Sequence, residues 1–268
     1  MKLPLSLGAV YGVVRELSKT RDRPLLVAGK LAPELARGLT AGGDASAVRT
    51  GGSPEDVEAL LYIVGDEVTA EDERVLELAH RARVPTLVVA AGRSAPERIP
   101  FVLATDVVRA EPGHGFPVDE IAHALAAKLG EDATSLAGHL PVLRDAVCGR
   151  LIESFARKNA LVGAAVFIPG VDLPVLTLNQ IRLVLRICAA YGLPVDSSRA
   201  PEILATVGAG LGFRAVAREL LDLVPVAGWL LKGAVAYTGT KALGEATVRY
   251  CEARIKPQPP AAASAFSS

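Results

Sequence analysis

The sequence predicts two halves of different class: an α/β unit, a small parallel sheet layered with helices on both faces, followed by an all-helical unit. Three observations carry this. Short apolar runs without polar alternation recur at residues 24–28, 60–64 and 85–90, as suits strands buried on both faces of a parallel sheet. Segments of helical spacing lie between them, the alternation of layered α/β folds. Beyond about residue 139 no strand-like run stands apart from turn signals, and apolar residues recur every three to four positions. The chain has 268 residues, half of them hydrophobic and 22% charged, with a mean hydropathy of +0.34. That composition is far from the signature of disorder and supplies one large core or two small ones. Its 29 basic and 29 acidic residues leave no global positive field to steer it onto nucleic acid.

Taken in order, the chain opens with an apolar run that Pro4 interrupts and Arg15 and Glu16 end, which reads as a helix rather than a secretory signal. The first strand, residues 24–28, runs into Gly29 and a helix over 31–41. After the strand at 60–64, Thr69 with Asp72 three residues on has the form of a capping box. Glu71, Asp72 and Glu73 then place negative charge at the positive end of a helix over 70–83. No histidine flanks that acidic cluster, so it reads as a cap and not a metal site. A strand at 85–90 and a shorter one around Val107 and Val108 follow. Residues 111–117, Glu-Pro-Gly-His-Gly-Phe-Pro, turn the chain into a helix over 117–129, with Ile121, Ala122, Leu125 and Leu129 on one face. This completes an α/β domain over residues 1–135. Residues 1–130 hold 15 basic and 18 acidic groups, a net of −3.

The helical domain is expected over 139–256. Leu143, Val147, Leu151 and Phe155 step by four along a helix to about Asn159, and further helices are expected near 177–191, 201–223 and 228–255. Residues 257–268, rich in Pro, Ala and Ser, read as a disordered tail.

A membrane-spanning helix needs about 20 mostly apolar residues. Residues 159–171 are broken by Pro169-Gly170, and 223–240 reach spanning length only by burying Lys232, at a cost of about 2.5–3.5 kcal/mol. Trp229, Tyr237 and Tyr250 nevertheless mix with Lys232, Lys241 and Arg249 in the manner of a membrane interface. Trp229, Lys232, Tyr237 and Lys241 are therefore the candidate residues for contact with a membrane surface or the apolar face of a partner. Gly208 and Gly212 form a GxxxG pair, and Ala236, Thr240 and Gly244 a row of small residues, both read as close packing within the chain.

Catalytic and binding chemistry leaves little trace. Cys148, Cys188 and Cys251 lie 40 and 63 residues apart, too far for a zinc motif or a disulfide framework, which fits a reducing cytosol. The histidines are scattered without HExxH, and there is no GxSxG elbow. His114, between two glycines, reads as part of a turn. A phosphate loop beginning at Gly29 would need glycine, lysine and a hydroxyl where Glu34, Leu35 and Ala36 stand; Lys30 follows the strand too closely to substitute. GxGxxG is absent from this turn. Asp44, Asp66 and Asp106 lie near strand ends, where turn chemistry accounts for them. No catalytic, metal or cofactor-binding residue is assigned, and neither nucleotide nor nucleic acid is expected as a ligand. Arg182 and Arg186, four apart on an amphipathic helix, are expected to pair with acidic groups inside the fold.

Residues 174–192 (Pro-Val-Leu-Thr-Leu-Asn-Gln-Ile-Arg-Leu-Val-Leu-Arg-Ile-Cys-Ala-Ala-Tyr-Gly), then 208–218 (Gly-Ala-Gly-Leu-Gly-Phe-Arg-Ala-Val-Ala-Arg) and 224–228 (Val-Pro-Val-Ala-Gly) resemble the helical domain of unknown function 697. That family is found beside Era-like GTPases and in some bacterial inner-membrane proteins, and the resemblance spans about residues 150–252. It implies a membrane-linked or partner-binding module serving a GTPase domain, and it makes the first half similar to a Ras/Era-like GTPase in degenerate form. The phosphate loop is lost, Gly65-Asp66-Glu67-Val68 stands where DxxG is expected, and Ala90-Ala-Gly-Arg-Ser94 stands where NKxD is expected. The implied protein is non-catalytic: a pseudo-GTPase recognition domain joined to a helical module, cytoplasmic or peripheral at the inner face of the cell membrane. Two other readings are a soluble homo-oligomeric scaffold, and an enzyme that binds a small ligand at the strand ends through Asp66 or His114.

Overall fold

The computed structural model describes residues 7–18, 22–94, 96, 98–111, 113–165, 172–196, 198–209 and 228–255. Five parallel strands form one sheet in the order β2-β1-β3-β4-β5: β1 (Leu25–Gly29), β2 (Val48–Thr50), β3 (Ala59–Val64), β4 (Thr86–Ala90) and β5 (Val107–Arg109). This is a doubly wound order whose direction reverses between β1 and β3. Every residue of β3 is buried, because helices cover both faces of the sheet; that is why the run Ala-Leu-Leu-Tyr-Ile-Val shows no alternation. On one face Leu26, Leu60, Tyr62 and Val88 pack beneath α3 (Ala70–Arg81) through Leu76 and Ala79. On the other, Val27, Leu61, Ile63 and Val89 meet α2 (Ala32–Leu39) and α4 (Val118–Leu129) through Leu35, Leu39, Ile121 and Leu125. The α/β layering expected from the apolar runs is present. The unforeseen strand is β2, three half-buried or exposed residues, Val48-Arg49-Thr50, at the sheet edge. It is too short and too polar to form an apolar run.

The second half is helical, as expected: α5 (Ala133–His139), α6 (Arg144–Ala165), α7 (Asp172–Ala190), α8 (Ala200–Ala209) and α9 (Gly228–Arg254). The four-residue step of Leu143, Val147, Leu151 and Phe155 is buried throughout. The helix α6 continues past the expected end near Asn159, whose side chain turns into the bundle. It is buried and bonded across the bundle, donating to Thr240 Oγ1 (2.9 Å) and accepting from Asn179 Nδ2 (2.8 Å). Facing α6, α9 presents small residues: a Cβ on Gly244 would lie 2.5 Å from Ile152 Cγ1, and one on Gly233 would lie 3.1 Å from the Ala160 carbonyl oxygen. Glycine at these positions sets how closely the two helices approach.

Contacts cross the sequence between 135 and 139 without a break. From the sheet, the apolar cluster continues through Leu125 and Leu129 of α4 to Leu136, Leu143 and Val147, and on to Leu183 and Ile187 of α7. At the other end of the sequence, α1 (Leu7–Ser18) seats Val10, Val13 and Val14 on Ile181 and Leu185 of α7 and Ala200 of α8. The expected tail at 257–268, Gly212, and the part of the third expected helix beyond residue 209 lie outside the described residues.

Candidate functional site: the strand-end crevice and the start of the last helix

Open α/β sheets bind ligands outside the carboxyl ends of their strands, where the strand order reverses. In this chain the residues at that place, between β1 and β3, lie close together. At the end of β1, Gly29 has φ 93°, and a Cβ there would sit 2.1 Å from the Ile63 carbonyl oxygen, so only glycine lets the two strands lie together. The next residue, Lys30, donates its backbone N–H to that oxygen (3.1 Å). After Leu31, at φ 56°, α2 begins with Pro33 in its first turn. A phosphate loop needs an arc of free backbone N–H groups around the anion; this connection is two residues long. Leu35 and Ala36, at the positions of the lysine and the hydroxyl, are buried in the core. Across the crevice the Lys30 side chain lies over Gly65, where a Cβ would come within 2.6 Å of its Nζ. Beyond β4, Gly92 presses against Asp66, whose Oδ1 accepts the Ser94 N–H at 2.9 Å.

The remaining polar candidates of the first half are explained locally. Asp72 is buried and completes the capping box, accepting the Thr69 N–H and hydroxyl at 2.8 Å each and the Tyr62 hydroxyl at 2.8 Å. Burial works against its charge, but those bonds and nearby Lys30 outweigh it and hold the carboxyl below its usual value. Asp44 and Asp106 precede β2 and β5, at the amino ends of the strands and away from the crevice. Asp44 accepts the Ser46 N–H (2.8 Å) and hydroxyl (2.7 Å), and Asp106 pairs with Lys128 (2.5 Å). His114 is exposed, 3.8 Å from Glu111, with Gly113 and Gly115 at positive φ, as a turn requires.

The four candidate interface residues all lie on α9. Trp229 and Lys232 occupy its first two turns; their side chains are outside the described residues. Tyr237 and Lys241 meet α6 at Glu153: the Tyr237 hydroxyl donates to the carboxylate (2.9 and 3.1 Å) and the Lys241 ammonium lies 3.8 Å from it. The hydrogen bond from Tyr237 first, and then one that Arg157 Nε donates at 2.7 Å, hold the Glu153 carboxyl below its usual value. Gly233 against Ala160 and Ala164 places the start of α9 beside the end of α6. There α6 exposes Leu161 (71%), and α7 exposes Val175 (47%) in its first turn. Sequence reasoning missed these two, because each sits within an apolar run and hydrophobicity alone does not say which of its members a neighbour covers.

Arg182 and Arg186 pair inside the fold as expected. Both reach Glu16 of α1 (3.2 and 3.1 Å), and Arg186 also reaches Glu131 (2.9 Å). The three cysteines, far apart in sequence, converge from α6, α7 and α9, with Cys188 Sγ and Cys251 Sγ 3.6 Å apart and all three buried. Burial pushes the Cys148 thiol up to about 12, so the cluster packs as apolar material. Among the described residues no group of three His, Cys, Asp or Glu is placed to hold a metal, and no helix is long and apolar enough to cross a membrane.

Residues 132–259 match the model of a family described as a domain of unknown function (DUF697). The resemblance read from residues 174–228 is thereby supported for the helical half; no family match covers the α/β half. No curated protein and no solved structure matches the chain.

Proposed function

We propose that the chain is a non-catalytic recognition protein. A degenerate GTPase-like α/β domain recognises a partner, and the DUF697-like helical half attaches to a membrane surface without spanning it. The observation that carries the attachment is the exposure of Leu161 and Val175 at the end of the bundle where α9 begins with Trp229 and Lys232. Burying a leucine or valine contributes about 1.5–3 kcal/mol, and a lysine beside an anionic surface about 1 kcal/mol. That scale suits reversible attachment at the cytoplasmic face. The GTPase-like reading is supported by the parallel sheet with its phosphate loop reduced to Lys30-Leu31, and by Lys30 lying over Gly65 where a ligand would enter.

The test is co-flotation of the full chain with vesicles of phosphatidylcholine, with and without phosphatidylglycerol. The wild type is expected to float with the anionic vesicles, and both Leu161→Glu with Val175→Glu and Trp229→Ala with Lys232→Glu are expected to stay behind. A wild type that does not float, or variants that float equally well, sinks the membrane reading. Assembly in plain buffer that these substitutions abolish would favour the homo-oligomeric scaffold instead. Saturable calorimetric binding of GTP or ATP with magnesium, lost in Asp66→Ala, would restore the enzyme reading.

A further inference from the structure

Beside the edge strand β5 and the first residue of β4 runs an open groove of about 940 Å³. One acid and one lysine in its lining, Asp106 and Lys128, neutralise each other at 2.5 Å. Arg83, Arg98 and Arg109 remain, all exposed and none with a carboxylate partner among the described residues. The accumulation is local, since residues 1–130 carry 15 basic against 18 acidic groups. Arginine forks match carboxylates two bonds at a time, and among the described residues these three have no such match, although Arg83 also borders a neighbouring hollow lined by Glu55, Asp56, Glu58 and Asp132.

Two groove residues hold backbone conformations that a different side chain would adopt at lower cost. Arg83 follows α3 at φ 56°, donating its N–H to the His80 carbonyl (3.1 Å) while Val84 N–H reaches the Ala79 carbonyl (3.0 Å). That is the helix-ending turn in which glycine is the usual residue, because a β-carbon is crowded in the left-handed conformation. Phe101 stands at φ 63°, is 45% exposed and lies 5.5 Å from the His80 ring; Leu103 beside it is 69% exposed. Among the described residues the groove thus combines three arginines that lack a carboxylate partner with exposed apolar side chains, along a strand whose outer edge has no strand partner.

We infer that this groove docks an acidic, extended segment of a partner protein. Carboxylates of the segment pair with Arg83, Arg98 and Arg109, an apolar side chain covers Phe101 and Leu103, and the free edge of β5 favours an extended backbone. A nucleic-acid strand is the poorer fit, because successive bases need a run of separate stacking platforms, and the two exposed rings of the groove, His80 and Phe101, lie against each other. The inference rests on the recognition role proposed for the α/β half and is independent of what the helical half contacts.

Fluorescence anisotropy on the full chain tests it, with a short labelled peptide of Asp and Glu around one Leu, its Lys counterpart, and an oligouridylate of equal length. The acidic peptide alone is expected to bind, more weakly as salt rises. Arg83→Gly with Arg98→Gln and Arg109→Gln is expected to weaken it about tenfold or more, the scale of a lost charge pair. Because Arg83→Gly relieves the left-handed turn, the triple variant should melt no lower than the wild type, so lost binding cannot be ascribed to misfolding. No binding by the wild type, equal binding of the Lys peptide, tighter binding of the oligouridylate, or an unaffected triple variant would each overturn the inference. Vesicle flotation of the triple variant keeps the two proposals separable, since it should equal that of the wild type whichever way the peptide result falls.

Discussion

Asp72 shows how much one side chain can hold in place. It caps α3, anchors the Tyr62 hydroxyl of β3, and lies within the field of Lys30 at the end of β1. Asp72→Asn is expected to destabilise the chain by about 1–3 kcal/mol at neutral pH, the loss of charge-assisted bonds at a buried position. Since the folded carboxyl titrates below its usual 3.8, its contribution is complete above that value and disappears as the pH falls through the lower folded one. Urea midpoints of wild type and variant should therefore differ most at pH 7 and converge under acid; a gap that stays constant would assign the loss to shape and not charge. The capping box was legible because its two residues are three apart. Tyr62 as the third member was not, since a contact between a strand and a helix leaves no mark on spacing. The same holds for Arg182 and Arg186: their need for acids shows in the sequence, but Glu16 as the acid does not.

Among elements, the packing of α9 on α6 depends on what is missing from side chains. Gly244→Ala places a methyl group 2.5 Å from Ile152 Cγ1, and overpacking of this kind costs about 1–3 kcal/mol. Ile152→Ala in the same chain is expected to recover part of that loss, read as a non-additive double-mutant cycle in chemical denaturation; strict additivity would mean that the two positions do not meet. The row Ala236, Thr240 and Gly244 was readable as close packing, and the face of α6 followed from periodicity; on α3 the three-to-four spacing of Val75, Leu78, Ala79 and Ala82 pointed to a face of which only Ala79 is buried, since Leu78 and Ala82 are exposed and Leu76 takes the core position instead. What escaped was short or punctuated: β2 with three residues, α5 with seven, and the last turns of α6, hidden because a buried Asn159 looks like a helix end. The apolar outlook of Leu161 and Val175 escaped for a related reason, since hydrophobicity in sequence does not say which side chains a neighbour covers.

For the molecule as a whole, the composition shift near residue 139 announced two classes of structure, and both are present. Their adhesion was not announced, because it depends on contacts between α4, α6 and α7 that only the folded chain brings together. One continuous cluster implies one cooperative event: calorimetry of the full chain is expected to show a single transition, and a fragment of residues 22–130 should lack a sharp one, with Leu125 and Leu129 stripped of their cover. Two well-separated transitions would show that the halves stand alone. The seat of α1 has a consequence in time. Glu16 and Arg186 are separated by 170 residues, and ribosomes add about 5–20 residues per second. The strip formed by Val10, Val13 and Val14 is thus synthesised about 10–30 s before the helix that receives it. For that interval the nascent chain carries an apolar strip with no docking place of its own, so α1 is among the last elements to find its seat although it is the first to be made.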